Sequence, residues 1–432
     1  MSRVAKRERK LPSTTDFREL IRGDGESLPV RRLRDEAMRR FETAGLPSVA
    51  VEEWRYTNLA TIARTVWERA EPVTLDRAAI ERYSFGDRAS AEIVFVNGCV
   101  DTNLSLLHEQ EGIRIRSFAA IARSEDAAEH FAAGVEGPLV DLNAALVSDG
   151  AIIELGARAR TEKPIHILYF YKGSDRPRTA NVRTRIVLGE AASATIVESH
   201  IGLDDSILFV NSVTTIDSTR GSRVDHTFSQ ELGLGTSLLA TIAGVQQQDS
   251  SLRSSVISLG SSVARNEVTM RLEGEGSELT MDGLYLLRGT QHVDNHTVID
   301  HASPRATSTE LYKGILDDKS NGIFDGKIIV RKDAQQTSSR QTNNNLLLSN
   351  DAVADSKPQL EIHADDVKCN HGSTIGQLDA DTVFYLQSRG IGKDDARRLL
   401  TYAFASEIVE RLTAAPLRER LQAVLLQRME RP

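Results

Sequence analysis

The chain has 432 residues, too many for one ordinary core, so two or three structural units are expected. It is 40% hydrophobic and 26% charged, the balance of a soluble globular protein, and no apolar run approaches bilayer-spanning length. A net charge of −8 excludes a broad phosphate-binding field for nucleic acid, and two distant cysteines, Cys99 and Cys369, exclude a disulfide framework and fit a reducing cytoplasm.

The opening "MSRVAKRERK" is basic but short, and it reads as a solvated tail without the hydrophobic core of an export signal. Residues 1–150 read as a mainly helical N-terminal region. "PVRRLRDEAMRRFETAGLP" has helical spacing and stops at Gly45 and Pro47, and "TNLATIARTVWERA" continues in the same style. "IVFVNG" interrupts with a strand and an Asn-Gly turn, after which "RSFAAIARSEDAAEHFAAGV" is helical again.

From Ala151 to Gly376 the character changes. Runs rich in Val, Ile and Thr ("IHILYFY", "RTRIVLG", "ATIVESHIG", "SILFVNSVTTIDS", "SSVISLG") follow one another without βα alternation, and no proline occurs from Arg178 to Ser303. So long a strand-only segment suits a solenoid, in which each coil needs only its neighbours to bury its inner face, although no strict hexapeptide period is present. Asn343, Asn344 and Asn345 read as amide ladders stacked at coil corners or as a polar turn before the apolar "LLL". Residues 377–432 form a small helical domain: Asp379 or Asp381 is the N-cap, Gly390 ends the first helix, and Leu399, Leu400, Ala403, Phe404, Ile408 and Leu412 form an apolar stripe on the next.

Several enzyme signatures fail. "GIFDGKI" is one residue short of a phosphate loop and ends in Ile328 where a hydroxyl would hold magnesium; "ELGLGTSL" has one Gly-x-Gly only. The chain is therefore not expected to bind ATP by itself. Two stretches could carry chemistry. In "QHVDNHTVIDH", strand alternation places His292, Asp294 and His296 on one face, as ligands for iron or zinc or as a polar row on a solvated face. In "VKCNHG", Cys369 and His371 share a face, as a thiolate with its base, as ligands for a soft metal, or as a small buried thiol beside a satisfied histidine. Two thiols cannot hold an ordinary iron–sulfur cluster, so any cluster chemistry must share ligands with another subunit.

Residues 310–391 resemble the SufB/SufD family of iron–sulfur cluster assembly proteins, most specifically in "ELYKGIL", "GKIIV", "PQLEI", "ADDVKCNHG" and "FYLQSRGI", with weaker similarity through "HVDNHTVIDH" and "FVNG" to "EEWRYT". "ADDVKCNHG" is similar to the SufD branch. The resemblance implies a mainly β fold: a right-handed parallel β-helix core flanked by a helical N-terminal region and a small helical C-terminal domain. It implies a non-catalytic scaffold subunit of a SufBCD-type complex, paired with a SufB-like homologue through the β-helix and with a SufC-like ATPase through the C-terminal helices. His371 then contributes to a transient iron or iron–sulfur cluster at the SufB junction. Cys369 is the weaker ligand, and no cofactor is required in the isolated chain. Phe384, Tyr385 and Arg389 are the residue types expected at the ATPase-docking surface. Sheet edges that meet a homologue can also meet themselves, so a homodimer of the isolated chain is expected. The competing readings are a SufB-like cluster scaffold and a carbohydrate-active β-helix enzyme, which needs paired carboxylates in an open groove.

Overall fold

The computed structural model describes residues 10–21, 25–125, 127–131 and 134–430. The basic tail expected at the N-terminus falls outside these residues except for Lys10.

From Asp149 to Gly376 the chain is a succession of strands, each pairing in parallel with the strand two places on. The result is two facing ten-stranded sheets wound as a parallel β-solenoid of about eight turns. Alternation explains the winding. In Val263–Leu272, Ala264, Val268, Met270 and Leu272 enter the central core, while Arg265, Glu267 and Arg271 face outward into ion pairs. Coil length varies: Ser237 stacks on Val263, 26 residues on, whereas Asn321 stacks on Val353, 32 residues on. A coil is thus two long strands with turns of different lengths, which is why no short repeat shows in the sequence.

Both sheets start earlier than the expected boundary at residue 151. Ala91–Val96 pairs in parallel with Ile165–Tyr171, and Asn97 (φ 51°) with Gly98 (φ 76°) forms the turn into Cys99–Val100. The helix Leu28–Ala44 stops at Gly45 (φ 67°), as its sequence predicts. "TNLATIARTVWERA" differs from expectation: only Ala60–Arg64 is helical, and Glu68–Arg69 joins the second sheet beside Arg178, where pairing overrides local propensity.

Flanking elements cover the two outer faces. N-terminal side chains, including Phe41, Trp54, Trp67 and Leu142, pack with Phe209 and Leu239 on the second sheet. The helices Lys393–Val409 and Ala415–Glu430 lie on the first sheet, where Ile408, Leu412, Leu417, Leu421 and Leu425 meet Leu259, Leu284, Leu311 and Ile315. Lys313 reinforces this seam. It is buried on the sheet, donates to the Phe404 carbonyl at 3.2 Å and to Glu407, and lies 4.2 Å from the centre of the Phe404 ring. The buried stripe overlaps the expected one in part: Ile408 and Leu412 are buried with Phe404 packed half-buried beside them, Ala405 and Val409 join them, and Leu399 and Ala403 face solvent. The asparagine run is not a corner ladder either. It lies within Ser338–Leu347, where Asn343 and Asn345 enter the lumen and bond each other (2.7 Å) and the Tyr285 hydroxyl, while Asn344 faces outward to Thr374. Among the described residues no helix is long and apolar enough to cross a membrane.

Candidate functional site at the open end of the solenoid

The last two strands, Val353–Ile362 and Lys368–Gly376, close each sheet on one side only. Each pairs with the strand below it and with no described strand above, so both present an unpaired backbone edge. Almost every residue of Lys368–Gly376 is exposed.

Register fixes which way the side chains look. Cys369 packs on the lumen core, half-buried and opposite Ser339, and His371 follows opposite Gln341. Ser373, next in phase, meets Ser356 of the facing strand at 2.8 Å across the mouth. Cys369, His371 and Ser373 therefore line the open mouth of the lumen, and the two ligand candidates share one face. Gly372 has nothing within 4 Å of the position a Cβ would take, so the outer face of this strand is open beside His371.

Below the mouth the lumen is polar. Under Cys369 the hydroxyls of Ser339 and Ser308 bond at 2.6 Å, and Ser308 meets His301 Nε2 at 2.9 Å. Burial lowers His301 to a pKa of about 4, which keeps it neutral. Under His371 the Gln341 amide donates to Glu310 Oε2 at 2.7 Å. Glu310 is wholly buried, and desolvation raises its carboxyl to about 7. Burial likewise raises the Cys369 thiol, with only a backbone hydrogen bond near Ser339 opposing it. The mouth is thus a neutral thiol and an imidazole, a soft donor pair without the cationic neighbour that a thiolate nucleophile requires. Among the described residues no three His, Cys, Asp or Glu side chains converge to hold a metal ion by themselves.

His292, Asp294 and His296 do share an outer face of the second sheet, far along the chain from the mouth, but an N-terminal segment covers them. The Thr57 hydroxyl lies 2.9 Å from His292 Nε2 and donates to Asp294 Oδ2 at 2.6 Å; Arg265 reaches the same carboxylate at 2.5 Å and lies 3.9 Å from the centre of the Trp54 ring. Burial lowers the pKa of both histidines. A metal ion here would have to displace a guanidinium. The row instead fastens "EEWRYT" to the solenoid, so two similar but distant segments are in contact.

Phe384 and Tyr385 lie on the helix Ala380–Ser388 and Arg389 is its C-cap; the N-cap is Asp379, whose side chain accepts from the amides of Asp381 and Thr382. Phe384 is 71% and Tyr385 55% exposed, with Arg389 bonded to the Tyr385 hydroxyl at 3.2 Å. Only Val383 of this helix is buried. The glycines of the failed phosphate loop serve packing: "GIFDGKI" is a strand, and a Cβ on Gly326 would overlap the Gln341 amide and the Phe324 ring. Sequence reading missed Glu310 and Gln341. The available signal was that both fall on the buried phase of their strands, Glu310 in step with Tyr312 and Leu316.

Fold and site together define a parallel β-solenoid with a cysteine and a histidine at the lumen mouth of an unpaired sheet end. Residues 170–404 match the model of the SUF system FeS cluster assembly SufBD core domain, and residues 15–167 match that of the SufBD protein N-terminal region. The chain is 32% identical over 416 residues to an iron–sulfur cluster assembly SufBD family protein of Synechocystis, an alignment covering 93% of this chain and 92% of that protein. It is 31% identical to the Escherichia coli iron–sulfur cluster assembly protein SufD, covering 89% and 90%. The Bacillus subtilis SufD is 25% identical, covering 92% and 93%. The chain belongs to the SufBD family of iron–sulfur cluster assembly proteins.

Proposed function

We propose that this chain is the SufD-like, non-catalytic subunit of a cytoplasmic SufBCD-type complex, and that it contributes to iron acquisition and nascent cluster formation where its open solenoid end meets a SufB-like homologue. The observation that carries this reading is the coincidence of a free sheet edge with His371 and Cys369 at one lumen mouth. A partner of the same architecture can continue both sheets by strand addition, bringing its own donors beside the imidazole. A neutral imidazole leaves a cluster less anionic than a fourth thiolate does, which favours release to an acceptor. Iron or cluster is here cargo, shared between subunits. The exposed Phe384–Tyr385–Arg389 patch, at a helix that packs against the one Lys313 fastens to the solenoid, is the proposed docking surface for a SufC-like ATPase, which supplies the energy.

The test is His371→Ala in the assembled complex. Its side chain is exposed and packs into no apolar core, so the chain still folds and the complex still forms while cluster yield on reconstitution falls. Wild-type yield from an intact mutant complex removes His371 from the site.

A further inference from the structure

The mouth of the lumen holds a second polar group aimed at the site. Gln341 is buried, and its Nε2 donates downward to Glu310 Oε2 at 2.7 Å. Its Oε1 is buried and has no hydrogen-bond partner. A buried amide oxygen left unpaired costs about 1–3 kcal/mol, so an orphan of this kind calls for a donor. The residue in register on the next coil, with its side chain on the same lumen face, is His371. The lumen is shaped around this amide, since Gly326 is the facing position where any Cβ would strike it.

We propose that Gln341 is a positioning residue for His371: its Oε1 accepts the imidazole Nδ1–H, which fixes the ring and leaves Nε2 as the coordinating nitrogen. Nδ1 lies close to its own strand and so to the coil beneath. Nε2, at the tip of the ring, is the nitrogen that reaches past the sheet edge. Glu310 holds the other end of the amide, so the column Glu310–Gln341–His371 transmits orientation from the core to the ligand. This is the outer-shell support that ligating imidazoles ordinarily receive, here supplied from inside a solenoid. The inference rests on the proposed ligand role of His371, yet its first test needs neither iron nor a partner.

The ¹⁵N shifts of His371 in the full, iron-free chain, at a pH where the ring is neutral, report its tautomer. The wild type is expected as Nδ1–H with a bare Nε2. Gln341→Met keeps the volume and removes the acceptor, and is expected to shift the ring to the Nε2–H form that free histidine prefers. The swap Glu310→Gln with Gln341→Glu restores donor and acceptor in reversed order and is expected to bring Nδ1–H back. In the assembled complex, Gln341→Met should weaken iron retention by about 10-fold or more, as loss of outer-shell partners does. An unchanged tautomer in a folded Gln341→Met chain overturns the proposal. Should that variant not fold, Nε2–H in the swap overturns it equally. Normal cluster yield from His371→Ala would instead remove the ligand role and leave the tautomer result to decide the positioning.

Discussion

Replacing Glu310 with Gln should make the solenoid more stable at alkaline than at acidic pH, relative to the wild type. Glu310 is wholly buried, with its carboxyl held at about 7 against 4.5 in the solvated chain, and desolvation is the dominant cause. At about 1.4 kcal/mol per tenfold, keeping it ionised inside the lumen costs about 3 kcal/mol more than in water. The stability associated with a protonated Glu310 is fully present below pH 4.5, is lost as the pH rises through 7, and is absent above it. Glu310→Gln removes this dependence. Its own pH-independent effects, such as an amide hydrogen short of a partner beside the orphan oxygen, cancel when two pH values are compared. In urea unfolding followed by circular dichroism, the variant-minus-wild-type difference should grow by about 2–3 kcal/mol between about pH 5 and about pH 8. A difference that stays constant across that window would show that Glu310 is not a desolvated titrating group, and that the lumen under His371 is wet.

Three further outcomes follow from the packing. Thr57→Val deprives His292 and Asp294 of their shared hydroxyl and should cost about 1–3 kcal/mol, read as faster hydrogen exchange confined to residues 52–64 and the strand beneath. Leu421→Ala, in the buried seam of the C-terminal helices, should cost about 2–5 kcal/mol and expose those helices to protease before the solenoid is cut. Phe384→Ala should change stability by less than about 0.5 kcal/mol, because the side chain is exposed, and yet weaken binding of the proposed SufC-like ATPase by roughly tenfold or more in titration calorimetry.

Long runs rich in Val, Ile and Thr with no helix between them made the solenoid legible, because strands buried on both faces read as near-continuous apolar runs, and strand alternation then put Cys369 and His371 on one side. Local caps were legible for the same reason, since Asp379 and Gly45 act within a few residues of themselves. What the sequence hid depended on segments far apart in the chain, from neighbouring coils about thirty residues away to an N-terminal loop 235 residues away. Whether His292, Asp294 and His296 faced solvent or an N-terminal loop depended on the tertiary position of Trp54 and Thr57. The C-terminal stripe was legible at Phe404, Ile408 and Leu412 but not at Leu399, which is as apolar as the buried Val409, because helical spacing alone does not choose between overlapping faces. The Gly-x-Gly of "ELGLGTSL" has a steric origin that only contacts reveal: a Cβ on Gly233 or Gly235 would collide with the carbonyls of Asp204, Asp205 and Ser206 on the coil below.

The most direct evidence will come from the nascent cluster itself, formed on the complete complex with this subunit alone labelled with ¹⁵N-histidine. Pulsed electron paramagnetic resonance of the reduced cluster should show one coupled histidine nitrogen, and His371→Ala should abolish that coupling with the complex still assembled. A spectrum without histidine coupling, or one that survives the substitution, would mean that the imidazole at the lumen mouth is not a ligand.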